Sequence, residues 1–222
     1  KKCIFKMAAI DELVKVENAQ EKYSFSQQDH IFKSQLDQRG ISEQDTQAKF
    51  QFIHLNGAHV PFIYDENMNI IDEEEGTYEQ TMLAVLSGAG NYVEKLRGSG
   101  AYDNTVLIIM ADHGYNGSLD ESGEEAWMRQ CPLLLIKGMG ETHDTMQISQ
   151  APISFEDLQE AYVRLLDGRR RDEVFDWEEG DARERRFLKY SFLDEDHMQE
   201  YVQTGYAFDR NTMKATGREY NR

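Results

Sequence analysis

Thr105-Val-Leu-Ile-Ile-Met110 is a short, uninterrupted apolar run, and Ala111-Asp112-His113-Gly114 follows it directly. A run of that length, rich in β-branched residues, predicts a strand covered on both faces, as in a parallel sheet between helix layers. In open α/β sheets, ligand sites gather beyond the C-terminal ends of strands. Asp112 supplies a hard anionic oxygen and His113 a borderline nitrogen, a pairing suited to zinc, manganese or a similar divalent ion. Gly114 allows a sharp backbone turn. The pattern alone leaves two readings open: Asp112 and His113 as metal ligands, or Asp112 as a turn cap beside a surface histidine.

Lys49-Phe-Gln-Phe-Ile53 predicts another strand, alternating before it becomes apolar, and it runs into His54-Leu-Asn-Gly-Ala-His59-Val-Pro-Phe62. Polar chemistry again sits past a strand end, and Pro61 stiffens the exit. His59 is the candidate for chemistry; for His54 a strand-end histidine bonded to backbone is the plainer reading. Pro132-Leu-Leu-Leu-Ile136 predicts a third buried strand. Thr77-x-x-Gln80 has capping-box spacing, and Met82, Leu86, Ala89, Val93 and Leu96 recur every three or four residues. This predicts a core-facing helix over 77–97, ended by Gly98 and Gly100, that forms the crossover of a right-handed β-α-β unit.

The remaining organisation is coarser. Residues 1–48 are polar and predicted helical, with Met7, Ile10, Leu13, Val14 and Val16 on a partial face and a second short helix at Ile31-Phe32 and Leu36. Asp72-Glu-Glu-Glu75 reads as a solvated acidic loop, with calcium binding as the sharper alternative. Gly114 to Gln130 is a long loop over the expected site, and His143 lies on another loop. Ser154 opens a helix whose face is Leu158, Ala161, Tyr162, Leu165 and Leu166, closed by Asp167-Gly168. From Arg169 onward, arginines alternate with acids, and 187–192, 205–208 and 212–220 predict strands of a small antiparallel element.

The Phe52–Phe62 segment, the helix, Gly100-Ala-Tyr-Asp-Asn-Thr…Ala-Asp-His-Gly114 and Cys131-Pro-Leu-Leu-Leu-Ile-Lys-Gly138 together resemble the alkaline phosphatase superfamily. The likeness covers residues 50–166. It is to the sulfatase-like branch that includes lipoteichoic acid synthases and phosphoethanolamine transferases. The resemblance implies that Asp112 and His113 bind a catalytic divalent metal (Zn, Mn, Mg or Ca). It also implies that His59 contacts the transferred group or a second metal. It implies a phosphate or sulfate ester as substrate, and a parent protein working at the extracytoplasmic face of a membrane. The family's hydroxyl or thiol nucleophile and its further acidic ligand have no match in residues 1–48. Cys3 begins Cys-Ile-Phe-Lys-Met, not the Cys-x-Pro-x-Arg of true sulfatases; Thr46 follows no strand; and Tyr115 stands where many sulfatases have Glu. The chain begins Lys-Lys, and is expected to be the C-terminal part of a longer protein.

The fold class expected is therefore α/β, a mostly parallel sheet flanked by helices, with a small C-terminal antiparallel element. The segments expected are a polar helical stretch at 1–48, a partial sulfatase-like core at 49–168 and a small α+β subdomain at 169–222. The 222 residues hold 41 acidic and 24 basic side chains, a formal net charge of −17. That balance argues against a nucleic-acid partner, which needs a cationic face. No apolar run approaches a membrane span. Cys3 and Cys131 make neither a disulfide framework nor a zinc motif. Two functions are open: part of a metal-dependent phospho- or sulfo-ester hydrolase or transferase, or a non-catalytic α/β module for binding or assembly.

Overall fold

The computed structural model describes residues 27–41, 49–115, 131–170, 173–191 and 194–221. The expected helix at Met7–Val16, Cys3, Thr46 and most of the 114–130 loop lie outside the described residues. The chain divides into two units, Lys1–Tyr102 and Asp103–Arg222.

In the first unit, helix α1 spans Gln28–Arg39 and is closed by the Gly40 N–H on the Leu36 carbonyl at 2.9 Å. Helix α2 spans Tyr78–Ser99. Thr77 and Gln80 form the expected capping box: the Thr77 hydroxyl accepts from the Gln80 N–H, and the Gln80 side chain accepts from the Thr77 N–H. These bonds satisfy donors that the helix itself leaves open. Its buried residues are Thr81, Ala84, Gly88 and Leu96, so the inward face is rotated from the expected row of Met82, Leu86, Ala89 and Val93. Small residues face inward because Met68 packs there; a Cβ on Gly88 would stand 2.9 Å from the Met68 methyl. Tyr64, Met68 and Ala84 form the buried cluster, with Ile63 and Val85 against it. Asp65 builds the turn that presents Met68, accepting from the Asn67 and Asn69 N–H groups.

The second unit has no parallel pairing among the described residues. Strand β1 (Leu107–Met110) pairs antiparallel with β2 (Leu134–Lys137), in the register Leu107 to Lys137 and Met110 to Leu134. This overturns the mostly parallel α/β expectation. Lys49–Ile53 forms no strand either, and Phe50 and Phe52 are 71% and 68% exposed. The physical reason is that an apolar run specifies burial and a face, while strand direction and partner depend on the rest of the chain. Helix α3 (Leu158–Leu166) buries Leu158, Ala161 and Leu165. Ala161 and Leu165 pack with Val174, against Val106, Ile108, Ile136 and Phe175. Leu166, expected on that face, is exposed.

Beyond it, β3 (Glu184–Ser191), β4 (Asp194–Thr204) and β5 (Met213–Asn221) form an antiparallel three-stranded sheet in that order. The charged β4 was not expected as a strand, and the expected strand at 205–208 is a turn between β4 and β5. Arg183 ties the sheet's entrance to the α3 approach: it is bonded to Asp157 at 2.5 Å and stacks its guanidinium over Trp177 at 4.5 Å. No helix among the described residues is long and apolar enough to cross a membrane.

Candidate functional site

The backbone leaving β1 makes one more cross-strand bond, from the Ala111 N–H to the Leu133 carbonyl at 3.0 Å, and then turns at Asp112 and His113. Asp112 Oδ1 accepts the His113 N–H at 2.9 Å. The His113 ring places Nδ1 2.6 Å from the Gly114 carbonyl. A carbonyl only accepts, so Nδ1 carries the hydrogen, and in the neutral ring the lone pair lies on Nε2. That atom stands 3.9 Å from Asp112 Oδ1. Backbone-anchored Nδ1 is the usual outer-shell arrangement of a metal-ligating histidine. Two ligands bound tetrahedrally to zinc stand about 3.4 Å apart, given bonds of about 2.1 Å. The observed separation is wider than that, and the Asp112 side chain is exposed. Among the described residues, no group of three or more His, Cys, Asp or Glu gathers to hold an ion. Asp112 and His113 thus stand as a pair, with no third such residue gathered beside them among the described residues.

His59 belongs to the first unit and Asp112 and His113 to the second. His59 is exposed, with Nδ1 2.6 Å from the Val60 carbonyl, so in the neutral ring the hydrogen sits on Nδ1 and the lone pair on Nε2. His54 is exposed and sits 6.2 Å from the Phe52 ring, centroid to centroid. The segment between the two histidines is held from below. Asp29, 1% exposed, accepts the Asn56 N–H at 2.8 Å and the Gly57 N–H at 3.0 Å. Burial pushes the Asp29 carboxyl above its ordinary range, and the two amide bonds and nearby His54 pull the other way. His30, the next residue, sets Nδ1 2.8 Å from the Met68 carbonyl. Tyr64 is buried beside them, its phenol pushed up to about 12 mainly by burial.

Asp29 escapes a sequence reading because an acid in a first helical turn is ordinarily a solvated residue serving the helix dipole. His143, expected as a loop histidine, has its Nε2 2.9 Å from Glu141 Oε1. The pair lies in an open cleft of about 390 Å³, with Gly138, Met139, Gln147 and Arg170 also in its wall. Glu141 also accepts the Gly138 N–H at 2.8 Å, so this carboxylate closes a local turn. The acidic Asp72–Glu75 stretch forms a turn before α2. No protein-family model matches the chain, and no curated protein or solved structure matches it.

Proposed function

We propose that this chain carries part of a metal-dependent phosphate- or sulfate-ester site, as the C-terminal portion of a sulfatase-like hydrolase or a phosphoglycerol- or phosphoethanolamine-type transferase. The observation that supports it is the Asp112–His113 arrangement, in which a backbone carbonyl fixes the ring so that Nε2 faces the neighbouring carboxylate oxygen. A divalent ion, when bound, supplies charge stabilisation for the non-bridging oxygens of the ester. Asp112 and His113 are two of its ligands, and further donors and the nucleophile come from outside the described residues. His59, in the first unit, is read by itself as an anion contact: with its Nδ1–H on the Val60 carbonyl, a protonated ring offers Nε2–H to a phosphate or sulfate oxygen. The parent protein acts at the extracytoplasmic face of a membrane.

A second reading is a non-catalytic binding or assembly module. Its support is the donor count, since a catalytic zinc takes three protein ligands and two are present among the described residues. Calorimetric titration with zinc and manganese, followed by assay of p-nitrophenyl phosphate and sulfate, separates the two. The expected outcome is weak binding, above the micromolar range, that Asp112→Ala and His113→Ala abolish, with little turnover. Identical binding by both variants would overturn the ligand assignment. Tight binding with metal-dependent turnover would place the missing groups within the 222 residues.

A further inference from the structure

We propose that Asp29 is a positioning residue for His59: its buried carboxylate grips the backbone of the His54–His59 segment and so fixes where the His59 imidazole stands. The inference rests on the reading of His59 as the group that meets the transferred phosphoryl or sulfuryl oxygen. Both Asp29 oxygens are used, each by one of two consecutive amides that lie 27 and 28 residues away in sequence. Charge-assisted bonds of this kind are among the stronger ones a chain can make, and burial shields them from competing water. Gly57 lies at φ +71°, with open space where a Cβ would stand. Glycine is needed there for conformation and not for room, and that conformation lets successive N–H groups converge on one carboxylate. The grip has a firm base, because His30 binds the carbonyl of Met68, itself 1% exposed in the unit's buried cluster. His59 follows Gly57 by two residues, so the fixed backbone sets its origin, and the Val60 carbonyl sets its ring.

The test uses the 222-residue chain, isotope-labelled, with inorganic phosphate titrated while the His59 imidazole resonances are followed. The wild-type signal is expected to move with phosphate. Asp29→Asn keeps one acceptor oxygen and sets an NH2 group against the second amide. It should weaken the His59 response by roughly tenfold or more. Leu36→Ala, at a buried position of the same helix, disturbs packing without touching the two amides. It should leave the response within about twofold of wild type. A wild-type response in Asp29→Asn, or an equal loss in Leu36→Ala, overturns the positioning role while leaving the reading of His59 intact. A silent wild-type imidazole overturns that reading and this inference with it. Amide exchange on the wild-type chain decides the matter if Asp29→Asn does not fold. Protection of Asn56 and Gly57 beyond their neighbours supports the grip, and free exchange at both overturns it.

Discussion

Among the described residues each unit buries one carboxylate, and the two are satisfied by opposite chemistry. Asp29 in the first unit meets two backbone amides. Glu200 in the second meets Arg186 at 3.1 Å, Arg218 at 3.7 Å and the Tyr220 hydroxyl at 3.1 Å. Amides belong to a particular stretch of chain, so Asp29 fixes a loop. Guanidinium and hydroxyl groups arrive on side chains from β3 and β5, so Glu200 ties three strands together across a sheet face. The consequence shows in the acids themselves. Burial dominates at Asp29 and raises its pKa, while hydrogen bonding from Thr216, ahead of Tyr220 and the arginine charges, lowers that of Glu200. A buried acid is thus no single kind of feature: its partners decide whether it organises backbone or holds an element in place.

The largest effect that sharpens this contrast is expected from Leu165→Ala. Leu165 is 0% exposed and lies at the centre of the second unit's cluster. Deleting it should cost ~2–5 kcal/mol. Amide exchange across Leu158–Leu166 checks this, and a loss below about 1 kcal/mol would deny that the cluster is the unit's core. In the first unit, Gly76→Ala comes next. A Cβ there would stand 1.6 Å from the Phe62 carbonyl oxygen, so backbone must move. About 3 kcal/mol is expected, the upper end of overpacking costs. A thermal midpoint equal to wild type would show that the turn has slack.

Thr77→Ala should cost ~1 kcal/mol, with Thr77→Ser close to wild type. Thr77 and Gln80 close their box between themselves, whereas Asp157, which accepts the Ser154 N–H, is shared with Arg183. Urea midpoints would then show Asp157→Ala losing more than Thr77→Ala, because two connections break.

The smallest effect is the dependence on pH, and its sign differs between the units. The Asp29 pKa is raised, so its contribution favours the fold fully below 3.8 and is lost as pH rises through the raised value. The Glu200 pKa is lowered, so its contribution is present above 4.5 and is lost as pH falls through the depressed value. Urea unfolding across the acid range should show Glu200→Gln flattening the loss on acidification, and Asp29→Asn flattening the opposite slope. Slopes changing in the same direction would break the comparison.

Features closed by near neighbours in sequence were legible. Thr77 and Gln80 stand three residues apart and announce the start of α2, and Gly100, at φ +82°, ends it. Leu158, Ala161 and Leu165 carry helical spacing and are buried as expected. The adjacency of Asp112 and His113 follows from their order in the chain, and the anchoring carbonyl belongs to the very next residue. Each of these depends on bonds spanning four residues or fewer, where the alphabet of side chains limits the outcomes.

What only the tertiary structure decided lies at long range. Thr105–Met110 and Pro132–Ile136 read as buried strands, yet their antiparallel pairing depends on how the connecting chain returns. Phe50 and Phe52 alternate as a strand should, but a strand exists only if another backbone pairs with it. The inward face of α2 turned on the arrival of Met68, and the burial of Asp29 on two amides almost thirty residues away. Hydrophobic pattern and local hydrogen bonding are properties of a segment, whereas direction, partner and the burial of a charge are properties of a pair of segments, and the pair is specified only once the chain has folded.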